Sequence, residues 1–545
     1  MSRISLFRAK KILTMDPNRP EATHVAVRDG LVLAVGGPDC AEGWGEAAVD
    51  DRYADKIMLP GLIEAHAHVM AGGIWRYPYV GHYDRTDPAG RVWPGIGSTD
   101  ALVARLRELE SAMEDDGRPL VAWGFDPNFV AGERLDRHHL DRVSEQRPVA
   151  ILHSNVHLLT ANSAALAGAG LDASSNIEGV MREADGTPSG ELQEFAAMAP
   201  VLNATGLDFA SLSNNGEAVR AYGEVARRCG VTTVADLLSG LHGEEVDMLI
   251  GVTGADGFPV RYVPIMNAME GDPDREAERA VALRARSTDK LRLGRAKLFT
   301  DGAIQGFTAK LKAPGYYTGT DHGIWNMEPD HFRAAVMALH RHGVKTHIHT
   351  NGDAASEFAM DAFEAAMRAH PNVDHRHTLE HAQLANRAQF KRMRALGLTV
   401  NLFANHLYYF GDVHLTRTLG PDRAFRMDAC ADALDVFGGE FAIHSDAPVT
   451  PMAPLFTAWC AVNRLTAEGR RLGEAQRIPV QAALRCITLG AAHVLKLDDE
   501  LGSIETGKRA DFCLLDEDPL ATPPDALKDI GVAGTVSGGQ PTGET

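Results

Sequence analysis

The sequence predicts an α/β protein: a parallel (β/α)8 barrel of the TIM-barrel class, a small β-sandwich formed by both termini, and a large insertion after the first barrel strand. Three observations carry that expectation. Eight short apolar, β-branched runs recur along the chain, with helical patterns between several of them. Six metal-type side chains (His66, His68, Lys297, His349, His381 and Asp446) stand at or near the ends of such runs. The two chain ends share a pattern of short strands and glycine turns.

The elements follow in order. From Ile4 to Met58 the runs ISLFRAKKILTM, HVAVRDGLVLAVGG and DKIMLPG are broken by turns, and Arg28-Asp29-Gly30 is a hairpin signal. The tail repeats the style in GSIETGKRADFCLLDED and GVAGTVSGGQPT. Neither end has strands enough to bury a face alone, so residues 1–58 and 497–545 are expected to pair. The barrel is expected over 59–76 and 216–496. Its strands are the run ending at His68 and those in GVTTVADLL, PVRYVPIMN, GRAKLFTDG, VKTHIHT, HRHTLEHA, LTVNLFA and EFAIHSD. Between two of them, Phe332, Val336 and Leu339 keep helical spacing behind Pro329, and Gly343 marks the stop. The gap from His68 to Val231 is too long for a loop, so residues 77–215 are expected to form an insertion covering the active site. A doubly wound sheet would need a phosphate-binding glycine loop or a reversal crevice, and neither is found.

Bulk composition excludes several classes. At 545 residues the chain exceeds one ordinary core. A net charge of −19, from 73 acidic and 54 basic residues, argues against nucleic acid and an anionic membrane surface as partners. The six cysteines show no C-x-x-C pair, as in a reducing compartment. The N-terminal stretch lacks a signal-peptide core, and no run is long and apolar enough to cross a membrane. A cytoplasmic enzyme is expected, with a small-molecule substrate; a homodimer would be unsurprising.

Strand alternation places His66 and His68 on one face, where two neutral imidazoles can grip one divalent ion. His349 and His381 lie nearest their strand ends, where barrel sites open. His347 and His377 are expected deeper, as hydrogen-bonded core histidines. Asp446 follows Ala442 and His444 on the same face by alternation, and its carboxylate can bind metal and exchange a proton with water. Lys297 is the odd member. Burial lowers a lysine's pKa, and a neutral amine can capture carbon dioxide to give an anionic carbamate. The alternative is an ion pair with Asp301.

The segments PGLIEAHAH, KLFTDGAI, HTNGDAA, LEHAQL, HSDAPVTPMAPL, LGSIETGKRADFCLLDEDPL and NVHLLTANSAAL together resemble the amidohydrolase superfamily, in the long branch that includes N-substituted formamide deformylase. The resemblance covers almost the whole chain. It implies that His66, His68 and Asp446 bind one metal, that His349 and His381 bind a second, and that a carbamate on Lys297 bridges them. The implied cofactor is two divalent ions, zinc by default and iron or manganese as alternatives. His157 and Asn162 match positions that face substrate in this branch, with internal hydrogen bonding as the alternative. His444 departs from the glycine or small residue usual before Ser-Asp, and Asn155-Val156 from the usual Asp-Gly.

The reaction expected is hydrolysis of a C–N bond in an amide, formamide or cyclic amide, with Asp446 shuttling the proton. A deaminase, an ester or lactone hydrolase, and a non-catalytic scaffold remain as alternatives. The aromatic residues Trp75, Tyr77, Tyr79, Tyr83, Trp93, Phe403, Tyr408, Tyr409 and Phe410 either line an apolar pocket or pack elements together. Glu191 and Glu194 either contact a polar group or face solvent.

Overall fold

In a computed structural model, residues 3–130, 134–207, 212–319 and 323–544 are described. The chain forms two compact units, one of Met1–His68 and Ala226–Thr545, the other of Val69–Val225.

The larger unit contains the barrel. Strands β1 (Leu62–Ala67), β2 (Val231–Ser239), β3 (Arg261–Asn267), β4 (Arg295–Phe299), β5 (Lys345–Thr350), β6 (Thr378–His381), β7 (Thr399–Leu402) and β8 (Ala442–Ile443) pair in chain order, all parallel. The ring meets between β1 and the segment after β8. Asp446 N–H donates to His66 O at 3.1 Å, and His68 N–H donates to Ala447 O at 2.8 Å. The strands are almost wholly buried, as parallel strands covered on both faces must be.

The helices between strands begin and end on local chemistry. Helix α1 (Pro273–Arg284) is capped by the Asp272 side chain, and α2 (Pro329–Arg341) by Glu328, which accepts the Asp330 and His331 N–H groups. Phe332, Val336 and Leu339 form the buried stripe of α2, and Gly343 follows in the left-handed region at φ +64°. Helix α3 (Asp353–Ala369) follows β5, and α4 (Arg387–Ala395) starts on an Asn386–Gln389 capping box.

The two chain ends pair as expected. Strands Ile4–Leu13, Glu21–Arg28, Leu31–Gly36, Ala47–Asp50, Ile57–Pro60, Phe512–Leu515, Val532–Ser537 and Gln540–Glu544 make one eight-stranded sheet. The sheet curls over its own core. Phe7 and Phe512, two strands apart, meet edge to face at 6.0 Å beside Ile12, Val25, Met58 and Leu514. Arg261, the first residue of β3, holds Asp511 with Nε at 2.6 Å and Nη2 at 3.1 Å, both residues buried, and so ties this sheet to the barrel.

The smaller unit has its own five-stranded sheet, in the order Val180–Arg182, Pro188–Gln193, Leu158–Ala161, Val149–His153, Leu120–Phe125. Two apolar cores flank it, one with Trp123, Leu152 and Met198, the other with Leu106, Leu120 and Ile151. Among the described residues no helix is long and apolar enough to cross a membrane, and the six cysteines are free thiols.

Candidate metal centre

At the C-terminal ends of the barrel strands, His66 and His68 stand two residues apart with ring centroids 5.6 Å apart. Their Nε2 atoms lie 3.3 and 3.2 Å from the same oxygen, Asp446 Oδ1. The proton on His66 is placed by its neighbour: Nδ1 sits 2.7 Å from Glu380 Oε2, so Nδ1 donates and Nε2 carries the lone pair. A lone pair and a carboxylate oxygen facing each other at this distance repel unless a cation lies between them. Asp446 Oδ1 is accordingly buried without a well-aligned donor. This donor set fits a divalent metal.

A second group of ligand atoms lies beside the first. His66, His381 and His444 place one ring nitrogen each within 4.8 Å of one another, as do His66, His68 and Asp446. His444 stacks on His66 at 4.6 Å and 15°, its Nε2 is 3.0 Å from His381 Nδ1, and Phe403 stacks on it at 4.9 Å. His349 packs on His381 at 4.6 Å, against Phe299 at 4.6 Å. Its Nε2 lies 3.2 Å from Gly302 O and 3.1 Å from Asn351 Nδ2. His349 and Lys297 stand outside both close groups.

Lys297 is fully buried, and its Nζ has no hydrogen-bond partner. Burial pulls the amine down to about 8, against the opposing fields of Glu380 and Asp446. The alternative pairing with Asp301 does not occur. Both Asp301 oxygens are taken by the N–H groups of Lys310, Asn351 and Gly352 and by the Thr300 hydroxyl. Burial also drives His66 and His381 well below the ordinary histidine value, aided for His66 by Lys297 and for His381 by His349, and holds His444 at about 3. All three are neutral, the form that ligates metal. For Asp446 burial acts upward, but His68, His444 and Lys297 outweigh it and keep the carboxyl below its usual value.

Two aiming arguments need correction. In β6 alternation turns Glu380 inward, while His377 packs outside against Phe363 and His340. Strict alternation would set His381 on the outer face with His377; it joins the site instead through a left-handed backbone at φ +65°. Likewise β8 ends at Ile443, and Asp446 is aimed by φ +53° instead of by strand alternation.

Sequence reasoning missed Glu380, Glu64 and Asn401. Glu380 accepts from His66, from His347 Nδ1 at 2.6 Å and from Asn401 Nδ2 at 2.9 Å. Burial pushes it up to about 8, against the fields of Lys297 and Lys345. Glu64 accepts the Ser445 hydroxyl at 2.6 Å and fastens β1 to the segment carrying Asp446. The available signal was a carboxylate inside an otherwise apolar strand run, as in TLEHA and LIEAH.

In the smaller unit the substrate-facing reading of Asn162 is corrected. Its Oδ1 accepts from Val149 and Ala165 N–H, and its Nδ2 donates to Ser144 O and Arg147 O, so its bonds cap the helix that starts at Ser163 and tie it to the 144–149 segment. His157 Nδ1 lies 2.9 Å from Glu194 Oε2, and Glu191 is bonded by Arg134 and Gln193. Trp75, Tyr79 and Trp123 pack on one another, as do Tyr408, Tyr409, Phe456 and Trp459.

The chain is 27% identical over 521 residues to "Protein LONG AFTER FAR-RED 3" of Arabidopsis thaliana, covering 92% of this chain and 85% of that protein. It is 26% identical over 544 residues to the N-substituted formamide deformylase of Arthrobacter pascens, covering 96% and 95%. An uncharacterized metal-dependent hydrolase from Pyrococcus horikoshii OT3 shares the fold with a TM-score of 0.71 at 20% identity, covering 96% of this chain and 99% of that one. Residues 54–542 match the Amidohydrolase family, and the chain belongs to it.

Proposed function

We propose that the chain is a cytoplasmic metal-dependent hydrolase that cleaves the C–N bond of an amide, formamide or cyclic amide in a small organic substrate. One observation carries this reading: His66 Nε2, whose proton Glu380 holds on Nδ1, and His68 Nε2 converge at 3.3 and 3.2 Å on Asp446 Oδ1, within a group of three ligand atoms that lie within 4.8 Å of one another. His66, His68 and Asp446 would hold one divalent ion, zinc by default. His349 and His381 would hold a second, with a carbamate on Lys297 between them. The orphaned Nζ, with a pKa drawn toward neutrality, supports that assignment. When bound, the cation makes a coordinated water acidic and polarises a substrate carbonyl.

The chain's own groups do the rest. Glu380 fixes the His66 tautomer, so that Nε2 faces the site. Asp446 is ionised, lies within reach of both β1 histidines, and takes the proton released on attack, then returns it to the leaving nitrogen. Phe403 and His444 form an apolar-sided wall next to the ligands. The Arthrobacter relative acts, by its name, on N-substituted formamides, which favours a C–N bond over an ester.

The test is metal analysis of the purified chain, coupled to a screen of N-formyl, N-acyl and cyclic amides for amine release. At least one tightly held divalent ion per chain and turnover of an amide class are expected. A metal-free chain, or a metal-loaded one that cleaves esters and no amide, would overturn the reading.

A further inference from the structure

The opposite end of the barrel carries a second site. A cavity of about 380 Å3 opens at the N-terminal ends of β4 and β5, lined by Arg284, Arg292, Arg295, Lys345 and Lys496 among others, with no carboxylate in its lining. Five basic side chains around one cavity stand out in a chain of net charge −19. Gly294, at φ +92°, brings them together: a Cβ there would lie 2.6 Å from Arg284 Cβ, so only glycine lets β4 start this close to α1.

The charges are poorly balanced. Arg292 reaches Glu500 at 2.6 Å and Lys496 reaches Asp374 at 3.2 Å. Among the described residues no carboxylate stands within ion-pairing distance of the other three. Arg295, 9% exposed, uses Nε and Nη2 on the carbonyl of Leu495. Lys345, 7% exposed, sets its Nζ against Arg376 O and the Thr378 hydroxyl, with burial driving the amine well below the usual lysine value against the opposing field of Glu380, and Arg284, exposed at the rim, reaches Gly343 O at 3.0 Å. Backbone oxygens satisfy hydrogen bonds without neutralising charge, so Arg295 is a buried guanidinium that lacks a counter-charge, an unfavourable state, with exposed Arg284 beside it on the rim. The wall histidines exclude a metal as occupant. His375 accepts His377 N–H on Nδ1 and donates from Nε2 to Leu396 O, while His377 accepts Thr346 N–H and meets His340.

We propose that this cavity binds the phosphate group of a small phosphorylated molecule, away from the metal centre. Arg284 and Arg295, two guanidiniums without a carboxylate partner, call for more than one negative charge. Guanidinium forks match phosphate oxygens in pairs. The volume is at the lower end of small-molecule sites and leaves room for an organic group beside the anion. Free phosphate shares the chemistry.

Calorimetric titration of the metal-loaded full chain at constant ionic strength tests this, with phenyl phosphate, inorganic phosphate and succinate as probes. One saturable phosphate-type site per chain is expected, with succinate weaker. In an Arg284→Gln/Lys496→Gln double variant, changed only at the cavity rim, affinity should fall at least tenfold with metal content and turnover unchanged. A control with Arg105→Gln and Arg118→Gln should bind normally. Tighter phenyl phosphate assigns an organic ester, and tighter inorganic phosphate assigns the free ion to the same site. Anion held only at the metal centre would bind the double variant as tightly as the parent, and that result overturns the proposal. Wild-type crystals soaked in tungstate give an answer that needs no variant: an anomalous peak between Arg284 and Arg295 is expected, and a peak only at the other end of the barrel refutes the site.

Discussion

Asp446 and Glu380 are both buried carboxylates beside His66, yet their surroundings assign them different work. Asp446 is pulled below its usual pKa and lacks a well-aligned donor, so it is the group free to take a proton. Asp446→Asn keeps an oxygen for the metal and loses the base. It should retain most of its metal while kcat falls about 10²- to 10⁴-fold; parallel metal analysis and kinetics check this, and near-normal turnover excludes the role. Glu380 instead spends its oxygens on His66, His347 and Asn401. Glu380→Gln should weaken metal affinity about 10- to 100-fold, read by competition with a chelator. Lys297 adds a pH signature. Only the neutral amine attacks carbon dioxide, and burial has drawn this amine down to about 8. Protons therefore block it below that value. At a fixed concentration of dissolved carbon dioxide, recovery of metal-free protein should quicken as pH rises through about 8 and level off above it; a flat or falling profile under that condition counts against the carbamate.

At the scale of elements, the site depends on how loops hold strand ends. Asp301, just after β4, accepts three backbone N–H groups from Lys310, Asn351 and Gly352. It thereby fixes the turn at Asn351 and Gly352, directly after the end of β5 that carries His349. Gly352 allows this closeness, since a Cβ there would lie 1.7 Å from Lys310 O. Asp301→Ala would strand buried donors at about 1–3 kcal/mol each. A drop of several °C in thermal midpoint together with weaker metal binding is expected; loss of stability with intact metal affinity would separate the turn from the site. The same elements show what the sequence could reveal. The H-x-H of β1 was legible because alternation holds through Ala67. It failed for β6 and β8, where His381 and Asp446 turn inward on positive φ. Apolar periodicity reports which face of a strand is buried, whereas a left-handed residue at a strand's end re-aims one side chain and leaves no periodic trace. Eight strands could be counted from their runs, but Glu380 could not be given a role until His66 and His347 were seen on either side of it.

For the whole molecule, the informative joint lies between the sheet of the chain ends and the barrel. Arg261 opens β3, and Asp511 precedes the strand Phe512–Leu515; their bidentate pair is sealed from water. Asp511 Oδ1 also takes the Gly538 N–H at 2.6 Å, so one carboxylate gathers the barrel, the returning chain and its final hairpin. Whether such a pair stabilises depends on what replaces it, because desolvating both charges offsets much of their attraction. Asp511→Ala leaves the buried guanidinium with only the half-exposed Asp289, 2.9 Å from Nη1, and should cost up to about 3–5 kcal/mol. Replacing both groups with apolar residues, as in Arg261→Met/Asp511→Leu, removes the stranded charge and should cost less than the single change. The order of thermal midpoints therefore carries the test: parent highest, double variant next, Asp511→Ala lowest. A double variant that melts below Asp511→Ala would mean that the pair supplies net stability through its hydrogen bonds, and that the sheet of the chain ends is held to the barrel by charge more than by packing.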